Sequence, residues 1–277
     1  MFDETLALTN RALRKWVRNP ASVVPGLATA VFYLALFGSS FNPANLIPAS
    51  STSGAPSILQ QAFGGAPTYI TYLTSGVICI IFVFNMAFGG IDLVLDRQLG
   101  YLNTLLTAPV PRAAIYLSGV AQNLVKVLFL GLLTFAVALV IPNGLQLPSS
   151  FGAAQFAGAF AAFILLGLGL SFVFTSLALA VRSIDSLVAI VNFLTLPIMF
   201  TSNAFFPSSS FPSWLRGIAD VNPVSKANEA ARLLLVNGSL SSSQLSTYTS
   251  DMAYLAGFAT ILGILGYLAA RRALAPE

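Results

Sequence analysis

Histidine is absent from all 277 residues, and cysteine occurs once, as Cys79. The first absence removes the commonest general base and metal ligand. The second excludes an intrachain disulfide and argues against a metal cluster. Charge is scarce as well: Asp, Glu, Lys and Arg make up 8% of the chain, against about 25% in an ordinary soluble domain. No GxxxxGK[ST] stretch occurs, so the sequence offers no P-loop to a nucleotide. No paired carboxylates lie within an apolar run, which weakens any reading based on proton or sodium coupling. What fills the chain instead is apolar. Hydrophobic residues are 56% of it and the mean hydropathy is +0.83, so this is an all-α integral membrane protein. The net charge of +4 is scattered at the ends of apolar runs, which is topology information and no nucleic-acid signal. The start, MFDETLALTN, is acidic and polar and does not read as a cleavable signal peptide.

A span needs about 20 largely apolar residues to cross about 30 Å of hydrocarbon. Six stretches meet that test: Ala21–Ser40, Tyr69–Ile91, Ala113–Ile141, Phe151–Val181, Leu187–Phe206 and Met252–Ala270. The expected layout is one transmembrane domain over 1–277, with an interfacial helix at 1–20, six spans within 21–270 and a cytoplasmic tail at 271–277. In the first helix Leu6, Leu13, Trp16 and Val17 gather on one face at about 100° per residue, with Arg11, Arg14, Lys15 and Arg18 opposite. Such a helix lies in the headgroup region, or packs on a partner. The loop at 41–68 is rich in Ser, Pro and Gly and uncharged. Short turns at Ile141–Leu145 and Arg182–Asp185 join spans three to four and four to five.

Orientation follows from the bases. With the N-terminus inside, nine cytoplasmic positions carry Arg or Lys (Arg11, Arg14, Lys15, Arg18, Arg97, Arg112, Arg182, Arg271 and Arg272), against three outside (Arg216, Lys226 and Arg232). That asymmetry places both termini in the cytoplasm. It also places there the longest polar interruption of the first half that carries acids and bases together, Asp92–Arg112, whose Leu95, Leu99, Leu102, Leu105 and Leu106 recur at helical spacing until Pro109 and Pro111 end the helix. An amphipathic helix held between two spans suits a push from a partner outside the membrane; the plainer reading is a connector.

On the outer side, Trp214 is placed as an interface anchor. Asn222-Pro223 breaks the chain, and Ser225 is positioned to cap a helix ending near Asn237-Gly238. There Lys226, Glu229 and Arg232 stand three apart and can pair along one face. This outer helix reads as a surface lid or a ligand site. Within the spans Lys126 is the one charge well inside, and it must snorkel, pair or line a wet cavity. Asn85, Gln122, Asn123, Asn192 and Asn203 are polar neighbours on this and other spans, forming either a polar path or ordinary interhelical hydrogen bonds. Pro197 is expected to kink span five, and Gly167, Gly169, Gly263 and Gly266 to allow close helix contact.

Three passages carry a resemblance: LDRQLGYLNTLLTAPVPR at 95–112, SNAFFPSSSFPSWLRGIADVNP at 202–223 and NPVSKANEAARLLL at 222–235. The chain is similar to the membrane subunit of type-2 ABC exporters, which include daunorubicin-resistance and polysaccharide-export permeases. It departs from them at Asn103, where the family often has Glu. The resemblance implies a half-transporter that dimerises with a second permease protomer, in an inner membrane, as a homodimer or heterodimer. It implies two copies of a separate ATP-binding subunit carrying ATP and Mg, with no cofactor, catalytic residue or metal in this chain. The opening stretch would then be a coupling helix contacting the ATPase through Asp92, Asp96, Arg97, Gly100, Tyr101, Leu105 and Arg112. Arg14, Arg18, Arg182 and Asp185 would flank that dock. Asn85, Lys126, Asn192 and Asn203 would line a path for a hydrophobic, amphiphilic or lipid-linked substrate. A channel or scaffold working without nucleotide is the alternative, and predicts tolerance of charge reversal at Asp96 and Arg97.

Overall fold

The computed structural model describes residues 2–19, 24–40, 63–107, 110–142 and 144–273, without the side chains of 25, 27, 39, 40, 102, 103 and 106. Most of the 41–68 loop, the Pro20 and Pro109 breaks and the Asn103 side chain therefore lie outside the described residues. Every regular element among the described residues is helical: α1 Phe2–Val17, α2 Val24–Ser40, α3 Tyr69–Phe88, α4 Ile91–Gln98, α5 Tyr101–Thr107, α6 Arg112–Val140, α7 Ala153–Ala180, α8 Ile184–Phe200, α9 Ser213–Val221, α10 Pro223–Asn237 and α11 Ser242–Ala273, with a single 3₁₀ turn at Ser208–Ser210.

Four of these are long and apolar enough to cross a bilayer: α6, α7, α11 and the thirty-residue run of α3 and α4 from Tyr69 to Gln98. Helices α2 and α8 are apolar but 17 residues long, which at 1.5 Å per residue is about 26 Å. The fifth expected stretch, Leu187–Phe206, is thus helical only to Phe200. The chain leaves the helix because Asn203 is recruited by α10, its backbone N–H donating to Ser225 Oγ at 3.1 Å.

The centre of the fold is α3. Seventeen of its twenty residues are buried, and α2, α6, α7, α8 and α10 all pack around it. Its N-terminus is capped by Thr68, whose Oγ1 accepts from the Thr71 N–H at 3.1 Å. Lipid tails are as apolar as leucine, so burial gives helices little reason to associate in a membrane; close packing does that work. Glycines supply it here. A Cβ on Gly131 would stand 2.8 Å from the Phe82 ring, one on Gly167 3.0 Å from Leu124, one on Gly263 3.0 Å from Phe172 and one on Gly266 2.8 Å from Ser176 Oγ. Gly169 faces Phe258 more closely still.

Three local expectations are overturned. The stretch after Asp92 is two helices, because Gly100 takes a left-handed φ of +76° between α4 and α5. Helix α10, expected on the outer side, is capped by Asn222, whose Oδ1 accepts from the Val224 N–H at 2.9 Å, and Ser225 is left free to hold Asn203. Nor is α10 a surface lid: Val224, Ala227, Ala230, Ala231, Leu234 and Leu235 are buried against α3, α7 and α11.

Candidate coupling surface and intramembrane cavity

At the cytoplasmic end expected from the charge pattern, α4 emerges as the continuation of the central helix. Its polar residues are tied to three neighbours: the α7–α8 turn, α1 and α6. Arg97 Nη1 donates to the Val181 carbonyl at 3.0 Å and Gln98 Nε2 to the Arg182 carbonyl at 3.4 Å, so the α7–α8 turn is held against α4. Asp96 meets Arg11 of α1 at 3.8 Å, and the Arg11 guanidinium also lies over the Tyr101 ring, 3.8 Å from its centroid. Asp92 meets Lys15 of α1 at 3.5 Å. Of the candidate contact residues, Asp92, Asp96, Arg97 and Tyr101 are therefore engaged within the chain. Leu105 packs on the hydrophobic core, while Arg14, Arg18, Arg112, Arg182 and Asp185 present exposed surface. The tip is Leu99, 79% exposed beside Gly100.

Helix α1 is docked on its own chain. Trp16 packs edge-on to Phe129 of α6 at 5.6 Å, and Leu8 joins the core. Leu6 and Val17 stay exposed. The face expected to be wholly basic is divided, since Arg11 and Lys15 turn toward the carboxylates of α4. No sequence pattern within α1 announces those pairings.

Above this surface lies a cavity of about 950 Å³ between α2, α3, α6 and α8. Its walls are apolar and aromatic, with Phe32, Tyr33 and Phe37 of α2 facing Phe84 and Phe88 of α3 and Phe200 of α8. One end is polar: Asn85, Asp92, Asn123 and Lys126 meet there, and Trp16 closes the rim. Lys126 resolves its three options by pairing, its Nζ donating to Asp92 Oδ2 at 3.1 Å. Asn85 gives its Nδ2 to the Ile81 carbonyl at 2.9 Å. The structure brings Asn85 and Lys126 together and leaves the other two candidates elsewhere. Asn192 is exposed on α8. Asn203 is buried in a separate cluster with α10, where its backbone carbonyl accepts from Asn228 Nδ2 at 3.0 Å, Tyr72 Oη at 3.3 Å and Arg232 Nη2 at 3.3 Å.

In that cluster the expected Lys226–Glu229–Arg232 pairing does not form. Lys226 Nζ holds Asp251 Oδ1 of α11 at 3.0 Å, and the Arg232 guanidinium lies over the Tyr72 ring, 3.6 Å from its centroid. A helix offers neighbours on other elements as well as its own, and here tertiary partners are nearer. Glu229 is left half-buried, and burial, with Asp251 nearby, pushes its carboxyl above the ordinary 4.5 against the opposing pull of Lys226 and Arg232.

Comparison with known proteins follows the same outline. The ABC-2 type transporter family matches residues 3–236. The "Putative transport permease ycf38" of Pyropia yezoensis is 28% identical over 241 residues, covering 84% of this chain and 74% of its own. The "Probable doxorubicin resistance ABC transporter permease protein DrrC" of Mycobacterium tuberculosis is 24% identical over 276 residues, covering 98% of this chain and 89% of its own. The "Daunorubicin resistance ABC transporter permease protein DrrB1" of Streptomyces coeruleorubidus is 24% identical over 178 residues, 62% of each chain. A family match over most of the length, on a bundle of apolar helices, makes this chain a member of the ABC-2 type transporter family and a membrane permease subunit of an ABC transporter.

Proposed function

We propose that this permease is the membrane half of an ATP-driven exporter, working with a separate ATP-binding subunit and moving an amphiphilic or hydrophobic cargo. Two copies of the chain pair with two copies of the ATPase, which carries the ATP and Mg. All six apolar helices cross a plasma or inner membrane, with both termini in the cytoplasm. The observation that carries this reading is continuity: the helix bearing Asn85 on the cavity wall runs on through Gly89-Gly90 to Gln98 and the exposed Leu99. A partner docked at that tip, alongside Arg112, Arg182 and Asp185, acts on a helix that also bounds the cavity. ATP-driven closure of the ATPase dimer then moves the tip and changes which side of the cavity is open. The drug-resistance names of two relatives support export and an amphiphilic cargo.

Co-purification tests it. The wild-type chain is expected to carry an ATPase subunit encoded beside it, and Leu99→Glu to lose that subunit while keeping its own thermal stability. Asp96→Lys with Arg97→Glu is a harsher companion, since it also breaks the Arg11 and Val181 contacts. If no ATPase associates with the wild-type chain, the exporter reading fails, and a channel or scaffold working without nucleotide takes its place.

A further inference from the structure

The polar end of the cavity has more binding capacity than the chain itself uses. Asn123 is 2% exposed and lines this end, yet neither its Oδ1 nor its Nδ2 has a hydrogen-bond partner among the described residues. Buried amides are nearly always bonded, so an orphan facing a cavity points to a ligand that bonds it. Gly89 packs closely on this amide, a Cβ there standing 2.6 Å from Asn123 Oδ1, so a ligand reaches the amide by a small turn of the Asn123 side chain toward the cavity it lines. The charges at this end are unequal. Asp92 gives one carboxylate oxygen to Lys126 at 3.1 Å and the other to Lys15 at 3.5 Å, so both oxygens already hold an ammonium. Each ammonium has three N–H donors, and two of them face one carboxylate. The neighbouring Arg11–Asp96 pair is balanced and alters nothing. Of these charges Lys126 and Asp92 line the cavity, while Lys15 stands outside it, 58% exposed on the other side of Asp92. The cluster as a whole carries one positive charge in excess. Lys126 brings spare N–H donors and Asn123 an unbonded amide to the cavity end, and beyond it the walls are mainly aromatic.

We propose that this end binds the anionic headgroup, phosphate or carboxylate, of an amphiphile whose apolar tail lies between α2, α3 and α8. Lys126 supplies the charge and Asn123 the directional hydrogen bond, with the Lys126–Asp92 pair keeping the ammonium aimed at the cavity. At about 950 Å³ the space lies near the upper end of ligand pockets, which run to about 1,000 Å³. That the bound amphiphile is cargo rests on the permease reading above; the binding itself does not.

Trp16 lines the cavity, and the chain has two tryptophans, the other being the exposed Trp214 of α9. In a Trp214→Phe background, the chain in neutral dodecyl maltoside is titrated with a bromine-bearing dodecyl phosphate, and Trp16 fluorescence is read. Saturable quenching is expected, with apparent Kd raised about tenfold by Lys126→Gln and by Asn123→Leu, the scale of one lost charge-assisted hydrogen bond. Lys126→Arg keeps the charge and is expected to keep binding. The brominated dodecyltrimethylammonium ion is expected to quench weakly, and this comparison needs no substitution in the cavity, so a misfolded variant cannot obscure it. Equal quenching by both headgroups, or a Kd unmoved by Lys126→Gln, overturns the proposal. Full competition by inorganic phosphate alone overturns its amphiphile half and leaves a free-anion site. Because no ATPase is present, a failure here leaves the permease reading standing, and a failure of ATPase co-purification leaves this binding intact.

Discussion

The Lys226–Asp251 pair joins α10 to α11 at 3.0 Å, with side-chain exposures of 25% and 2%. At that separation and an effective dielectric near 20 the gross attraction is about 5–6 kcal/mol. Desolvating a carboxylate that deeply cancels most of it, so the intact pair contributes little net stability. Removing one partner is another matter. Lys226→Met leaves the Asp251 carboxylate buried without a counter-ion, which costs about 3–5 kcal/mol. At about 2–4 °C per kcal/mol for a chain approaching this size, the low end of that cost lowers Tm by about 6–12 °C. The double replacement Lys226→Met with Asp251→Leu is expected to return to within about 1 kcal/mol of wild type, since a packed apolar pair substitutes for a buried ionic one at little cost. Thermal unfolding in a neutral detergent, run on wild type, both single variants and the double, closes the cycle. If the two losses simply add in the double variant, the pair is not coupled and the reasoning is wrong.

Other outcomes follow from the same geometry. Gly90→Ala sets a Cβ 2.6 Å from the Ala178 Cβ, and such overpacking costs about 1–3 kcal/mol; Gly217, with nothing within 4 Å, is expected to accept alanine without loss, and equal Tm values for the two would refute the packing account. Arg11→Ala removes an exposed ion pair and a cation–π contact worth together about 1 kcal/mol, or roughly fivefold in the undocked population of α1; hydrogen exchange in α1 is expected to rise by that factor, and by more in Trp16→Ala, which loses the Phe129 contact. A larger effect from Arg11 would mean that charge and not packing holds the helix. Glu229 binds its proton more tightly folded than unfolded, so its contribution to stability is fullest at acid pH and declines as pH rises from 4.5 through the raised folded value. Glu229→Gln is expected to flatten that decline and to be the more stable form at neutral pH, and a steeper decline in the variant would contradict the assignment.

Composition and hydropathy are enough to read the helical membrane class, and four of the six apolar runs agree with their helices to within a few residues, while the last helix starts ten residues earlier, at Ser242, than the run Met252–Ala270. Span five is shorter because Asn203 answers to Ser225, a partner 22 positions away that no local pattern reveals. The α10 pairings were misread for a related reason: spacing of three predicts neighbours on one helix face, but Asp251 and Tyr72 lie closer on other helices. Lys126 was legible as a problem, because a lone charge within a span demands an answer. Its partner Asp92 stands in plain view at the start of the polar stretch that follows the central helix, and opposite charge is the available signal. Asn123 appeared only as one polar neighbour among several, since a missing hydrogen bond exists only once the surrounding atoms are placed. Gly100 was readable as part of a motif but not as a break, because leucine periodicity continues across it.

The Gly89-Gly90 junction has a mechanical meaning. Thirty residues from Tyr69 to Gln98 extend about 45 Å at 1.5 Å per residue, about 15 Å beyond a hydrocarbon core of about 30 Å. If the outer end sits flush, the excess is about ten residues, which begins at the two glycines. A joint at that depth sets compliance: bending there by about 10° swings Gln98 by about 2 Å over a 12 Å arm while Asn85 stays still. Asp92 lies beyond the joint and lines the cavity, so the same bend carries the partner of Lys126 through a part of that arc while the aromatic wall on α3 keeps its place.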